Sequence, residues 1–164
     1  MTELITAEQY LHTSFEHDAE FVEGRIVERS VPTWDHASMQ GFLIRELWAI
    51  GRRLGLFAVP EQRVQVRPDR YRVPDVCVVA ERPEFRGIVT RPPYLCIEIL
   101  SPEDTAVATL EKVREYLNFG VAWVWVIDPV SRTGQVHGPN GVANIEDRIF
   151  STDRFSVDLS IADL

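Results

Sequence analysis

Asp75 and Glu98 are acids set where a charge is expensive. Asp75 stands near the start of the apolar run PDVCVVA (residues 74–80), and Glu98 lies inside YLCIEIL (94–100). Both runs read as buried strands. Side chains alternate faces along a strand, so Asp75, Cys77 and Val79 share one face, as do Cys96, Glu98 and Leu100. If the two strands pair antiparallel, one register sets Asp75 opposite Glu98 and Cys77 opposite Cys96. The two acids would then be about 4.5–5.5 Å apart at Cβ. Two anions that close destabilise each other unless one takes a proton or a cation sits between them. Carboxylate oxygens suit Mg²⁺ or Mn²⁺, so a divalent ion is the expected answer.

A third residue joins them by composition and arithmetic. Of the 17 basic side chains, 16 are arginine and one, Lys112, is lysine. A compact ammonium is kept there although arginine serves every other position. From Glu98 the strand climbs to Ser101, roughly 10 Å at strand rise. A helix folding back at about 1.5 Å per residue is level with Glu98 near position 108 or 109. Lys112 overshoots by roughly one turn, but a long helical side chain leans back toward the N-terminus, over the carboxylates.

The elements that must position these groups are legible along the chain. A short helix is expected at 7–12 and a hairpin over 20–30, turning at Glu23-Gly24. Thr33 or Asp35 can cap a helix that runs to about Leu54, with Gly55 as its stop. Residues 57–66 read as two short extended runs, and 67–72, with Pro68-Asp69, as a turn. After the strand at 94–100, Ser101-Pro102-Glu103-Asp104 reads as the start of a helix reaching about Asn118, with Gly120 ending it. VAWVWVID (121–128) is a third strong strand, and Trp48, Trp123 and Trp125 read as core. Hairpin signals follow at Thr133-Gly134 and Asn140-Gly141, then a strand near 148–151. The order gives one α/β (α+β) domain over residues 1–164, with a central mixed sheet flanked by helices.

Composition narrows the function classes. Hydrophobic residues at 45% and charged residues at 26% exclude a disordered chain or a coiled-coil rod. Two cysteines exclude a disulfide scaffold and a four-cysteine zinc site. No apolar run approaches the roughly 20 residues of a membrane helix, and the start has no basic, apolar leader, so no membrane partner and a cytoplasmic location are expected. The net charge of −8 divides unevenly: −6 over residues 1–44, +4 over 45–91 and −6 over 92–164. Arginines of the middle third, Arg63, Arg67, Arg70 and Arg72 with Arg82, Arg86 and Arg91 beyond them, are the candidates for holding a nucleic-acid backbone. A chain this acidic would make such contact locally and with help from a metal.

The segments VPDVCVV, CIEILSP, Lys112 and EYLNFGVAWVWVIDP, in this order, resemble a large bacterial family of endonucleases in the PD-(D/E)XK nuclease superfamily. The resemblance covers about residues 18–130 and implies a restriction-endonuclease-like core. It implies that Asp75 and Glu98 hold Mg²⁺ or Mn²⁺, with the backbone carbonyl of Ile99 and Glu20, from Glu20-Phe21-Val22-Glu23-Gly24, as further ligands. The usual lysine two residues after the acid is Leu100 here, and its role passes to Lys112 on the next helix. His36 and Tyr116 are implied or adjacent site neighbours. The family's acid four residues before that lysine is Ala108, which leaves Lys112 one partner fewer. DNA as substrate and a homodimer are further expectations. The alternative is a nuclease-fold module that binds nucleic acid or serves as a scaffold without turnover. A weaker third reading takes the close carboxylates as a glycosidase pair.

Overall fold

The computed structural model describes residues 4–84 and 87–163. Arg86 therefore lies outside the described residues. Helix α1 (Ala7–His12) precedes the hairpin β1 (Ala19–Val22) and β2 (Arg25–Glu28), and α2 (Trp34–Leu54) follows. Next come β3 (Phe57–Pro60), β4 (Val64–Arg67), β5 (Arg70–Arg72), β6 (Val76–Val79) and β7 (Leu95–Ile99). Helix α3 (Ala106–Phe119) crosses to β8 (Trp123–Ile127). The chain ends with β9 (Gly134–Gly138), β10 (Gly141–Ile145), β11 (Ile149–Ser151), β12 (Ser156–Asp158) and a 3-10 turn at Leu159–Ile161.

The central sheet has six strands in the order β10-β9-β8-β7-β6-β3. It is mixed: β7 and β8 run parallel across the α3 connection, and the other neighbours are antiparallel. Val76 pairs with Ile97 and Cys77 with Cys96, which is the register expected from the sequence. Alternation then sorts the strands. Val76, Val78, Ile97 and Ile99 pack with Met39, Leu43 and Leu47 of α2. Cys77, Val79, Cys96 and Val124 pack with Val113 and Tyr116 of α3. Glu98 is on the α3 face by the same rule.

Helix α2 begins and ends as expected. The Thr33 hydroxyl accepts the His36 N–H, and Gly55 takes a left-handed φ of 69° that a side chain would resist. Three expectations are corrected. Residues 70–72 are not part of a turn: β5 pairs with both β1 and β4 in a four-stranded sheet. Alternation there sends Tyr71 into a cluster with Tyr10 and Phe21, while Arg70 and Arg72 find acids on the other side. Helix α3 starts at Ala106 with Thr105 as its cap, not at Ser101. Asp104 Oδ2 accepts the Ser101 N–H at 2.7 Å and closes a separate turn, so the serine never caps the helix. Of the tryptophans, Trp125 is fully buried, but Trp48 is half exposed and the Trp123 indole N–H donates to Asp153.

Candidate functional site

The two sheets, α2 and α3 enclose a cleft of about 330 Å³ lined by Glu20, His36, Asp75, Glu98, Ile99 and Lys112, among others. The expected ligands Asp75, Glu98, Glu20 and Ile99 line this one space with Lys112 and His36, while Tyr116, Arg63, Arg67 and Arg70 do not line it.

Asp75 sits immediately before β6 and is buried. Its Oδ2 accepts the Ile99 N–H at 2.7 Å, which ties the start of β6 to the end of β7. Its Oδ1 accepts from the Arg29 guanidinium and lies 3.2 Å from His36 Nε2. Gln40, one turn beyond His36 on α2, donates to the Asp75 carbonyl at 2.8 Å.

Glu98 is buried among β7, β8 and α3. Tyr116 donates its hydroxyl to Oε1 at 2.7 Å, and Lys112 Nζ stands 3.3 Å from Oε2. The same ammonium is 3.3 Å from Glu20 Oε1 on β1. Glu20 is held in turn by Arg72 at 2.7 Å and by the Val73 N–H at 3.1 Å. Lys112 thus bridges two carboxylates from two different sheets.

The electrostatics follow from this crowding. Burial, with Asp75 and Glu20 adding to it against the pull of Lys112, pushes the Glu98 carboxyl up to about 7. Burial works to strip Lys112 of its proton, but Glu98, Glu20 and Asp75 outweigh it and hold the ammonium above the usual lysine range. Burial and the Glu98 charge push the Tyr116 hydroxyl well above its ordinary value, so it stays a donor.

Family comparison is decisive at the level of kinship. A family model described as "Uma2: Putative restriction endonuclease" matches residues 7–164. The chain belongs to the Uma2 family. No curated protein matches it. Among solved structures it is similar to a protein of Anabaena variabilis ATCC 29413 titled a "putative nuclease belonging to DUF820". The two share 23% identity and a TM-score of 0.82, over 95% of this chain and 96% of that one. At that identity the likeness shows the fold, and it agrees with a restriction-endonuclease-like core for this Uma2 chain.

The four arginines expected to meet a nucleic-acid backbone are engaged within the protein. Arg63 grips Asp18 at 3.0 Å, and Arg67 reaches Glu23 and Asp69. Arg70 and Arg72 are buried; Arg70 pairs with Glu23 and Glu115, and Arg72 with Glu20 and Glu115. Their visible work is to fix β5 and Glu20 against α3. Ala108 lines the cleft where the family acid would stand.

Two functional neighbours escape a reading of the sequence. Gln40 had a signal, since it follows His36 by four residues on one helix and shares its face. Arg29 had none: it lies just past β2, far along the chain from Asp75.

Among the described residues, no three His, Cys, Asp or Glu side chains form a ready-made metal cluster. The donor chemistry still fits a hard cation of the Mg²⁺ kind, which is held by one or two carboxylates and keeps several waters. Burial is the leading cause of the raised Glu98 carboxyl, and Arg29 and Arg72 stand with Lys112 opposite Asp75, Glu20 and Glu98.

Proposed function

We propose that the chain hydrolyses phosphodiester bonds of DNA with the help of Mg²⁺ or Mn²⁺. The observation that carries this reading is Lys112 Nζ at 3.3 Å from both Glu20 and Glu98, in a cleft that Asp75 also lines. Asp75 and Glu98 would hold the ion, with Glu20 and the Ile99 carbonyl beside them. When bound, the ion supplies an activated water and polarises the phosphoryl oxygen. Lys112 then stabilises charge growing on the phosphoryl oxygens. Tyr116 fixes Oε1 of Glu98 with its hydroxyl, and Arg29 and His36 orient Asp75. A lysine gripped by both acids suits phosphate better than a sugar, which sets the glycosidase reading behind this one.

A second reading is a nuclease-fold module that binds nucleic acid or a partner without turnover. Specific observations favour it: the carboxylate oxygens of Asp75, Glu98 and Glu20 already accept donors from the chain itself, and Ala108 replaces an acid. One experiment separates the two. Supercoiled and linear DNA are incubated in Mg²⁺ or Mn²⁺ with wild type, Lys112→Ala and Glu98→Ala. Nicking by wild type that both variants lose supports hydrolysis. DNA binding without nicking supports the module, and equal nicking by all three overturns the site.

A further inference from the structure

We propose that the β10 edge is the surface through which two copies of this chain pair, strand against strand, to join their six-stranded sheets. The inference names a partner surface and stands whatever chemistry the cleft performs. It begins with charge. Residues 133–145, TGQVHGPNGVANI, contain no Asp, Glu, Lys or Arg, in a chain that is 26% charged and carries −8 overall. This stretch forms β9 and β10, and β10 is the last strand of the central sheet.

Sheet edges are normally protected by charge, proline, a bulge or a covering element. The opposite edge follows that rule, since β3 ends in Pro60 and is followed by Glu61. β10 itself holds no charge and no proline, although Glu146 and Asp147 follow it as Glu61 follows β3. Its residues Gly141 to Asn144 are all exposed, Val142 at 60%, and β10 keeps an unbroken register with β9. Along an antiparallel strand every second residue turns both main-chain groups away from its neighbour. β10 therefore offers a row of unused donors and acceptors to a second strand.

The occupant that fits is another copy. A twofold axis at Ala143 sets Val142 opposite Asn144 and Gly141 opposite Ile145 of the second molecule. Further out, Asn140 meets Glu146, so no like charges face each other across the pair. An interface of this kind is self-complementary. It also lets two chains of −8 approach along the stretch that carries no formal charge.

The test is sedimentation velocity of the full chain over a range of concentrations. Wild type is expected to show a monomer–dimer equilibrium. Val142→Lys places a charge on the edge, and Asn144→Pro removes a main-chain donor; each is expected to raise the dimer Kd at least tenfold. Val142 is exposed, so Val142→Lys keeps its circular dichroism and melting temperature even if the proline variant folds poorly. Trp34→Lys, at an exposed apolar residue far along the chain from β10, is expected to leave the equilibrium unchanged. A wild type that is monomeric at every concentration overturns the proposal. So does a dimer that Val142→Lys leaves intact or that Trp34→Lys dissociates.

Discussion

At the scale of the residue, Lys112 carries the most consequence. It answers two buried carboxylates at once, so removing it strands both. Breaking a buried pair leaves an uncompensated charge, and Lys112→Met is expected to cost roughly 3 kcal/mol in urea unfolding at pH 7. The double replacement Lys112→Met with Glu98→Gln should recover part of that loss, which an exposed lysine paired with Glu111 or Glu115 would not do. If the chain turns over DNA, Lys112→Met should also lower the cleavage rate by roughly 100-fold or more. The position of this lysine was legible because composition isolated it and helix arithmetic placed it. The guanidinium of Arg29 was not legible, because nothing in a chain of 16 arginines marks the one that tertiary folding brings to Asp75.

At the scale of the element, the central strands β6, β7 and β8 are legible in the sequence, and the start of helix α3 is not. Strands β6, β7 and β8 are apolar on both faces because a helix covers each side of the sheet, and that signal is local. The pairing of Cys77 with Cys96 is the one reached by supposing antiparallel strands in the register that sets Asp75 opposite Glu98; alternation fixes the faces, not the register. The start of α3 failed because Ser101-Pro102-Glu103-Asp104 carries the composition of a helix start, whereas Asp104 uses its carboxylate to close the preceding turn. Thr105 is the working cap, its hydroxyl accepting the Ala108 N–H at 3.2 Å. Thr105→Ala is therefore expected to cost about 1 kcal/mol, and Ser101→Ala much less, by thermal or urea unfolding. Equal losses would return the cap to Ser101. The strand β5 was missed for a different reason. Arg70 and Arg72 look like solvent residues until α3 brings Glu115 to them, which no local pattern reports.

At the scale of the whole molecule, that same Glu115 joins the smaller sheet to α3. Burial works against its charge, but hydrogen bonds and the charges of Arg72 and Arg70 outweigh burial and hold the carboxyl below its ordinary 4.5. The folded state then binds fewer protons than the unfolded chain in acid, so this contribution to stability is present above about pH 4.5 and lost below it. Glu115→Gln should lie furthest beneath wild type at pH 7, with the gap closing as pH falls under 4.5, measured by urea midpoints. The layering of the molecule, two helices over a mixed sheet, was legible from the order of its elements. The smaller sheet that supplies Glu20 was legible only as a hairpin. Seating the ammonium on α3 while the acids ride on strands also changes what heredity must preserve. Natural selection can let the gap along the chain drift freely, provided the three charged tips still end at one point. A search keyed to an acid and a lysine two positions apart will pass over chains built this way, and a search by coordinates of the tips will gather them.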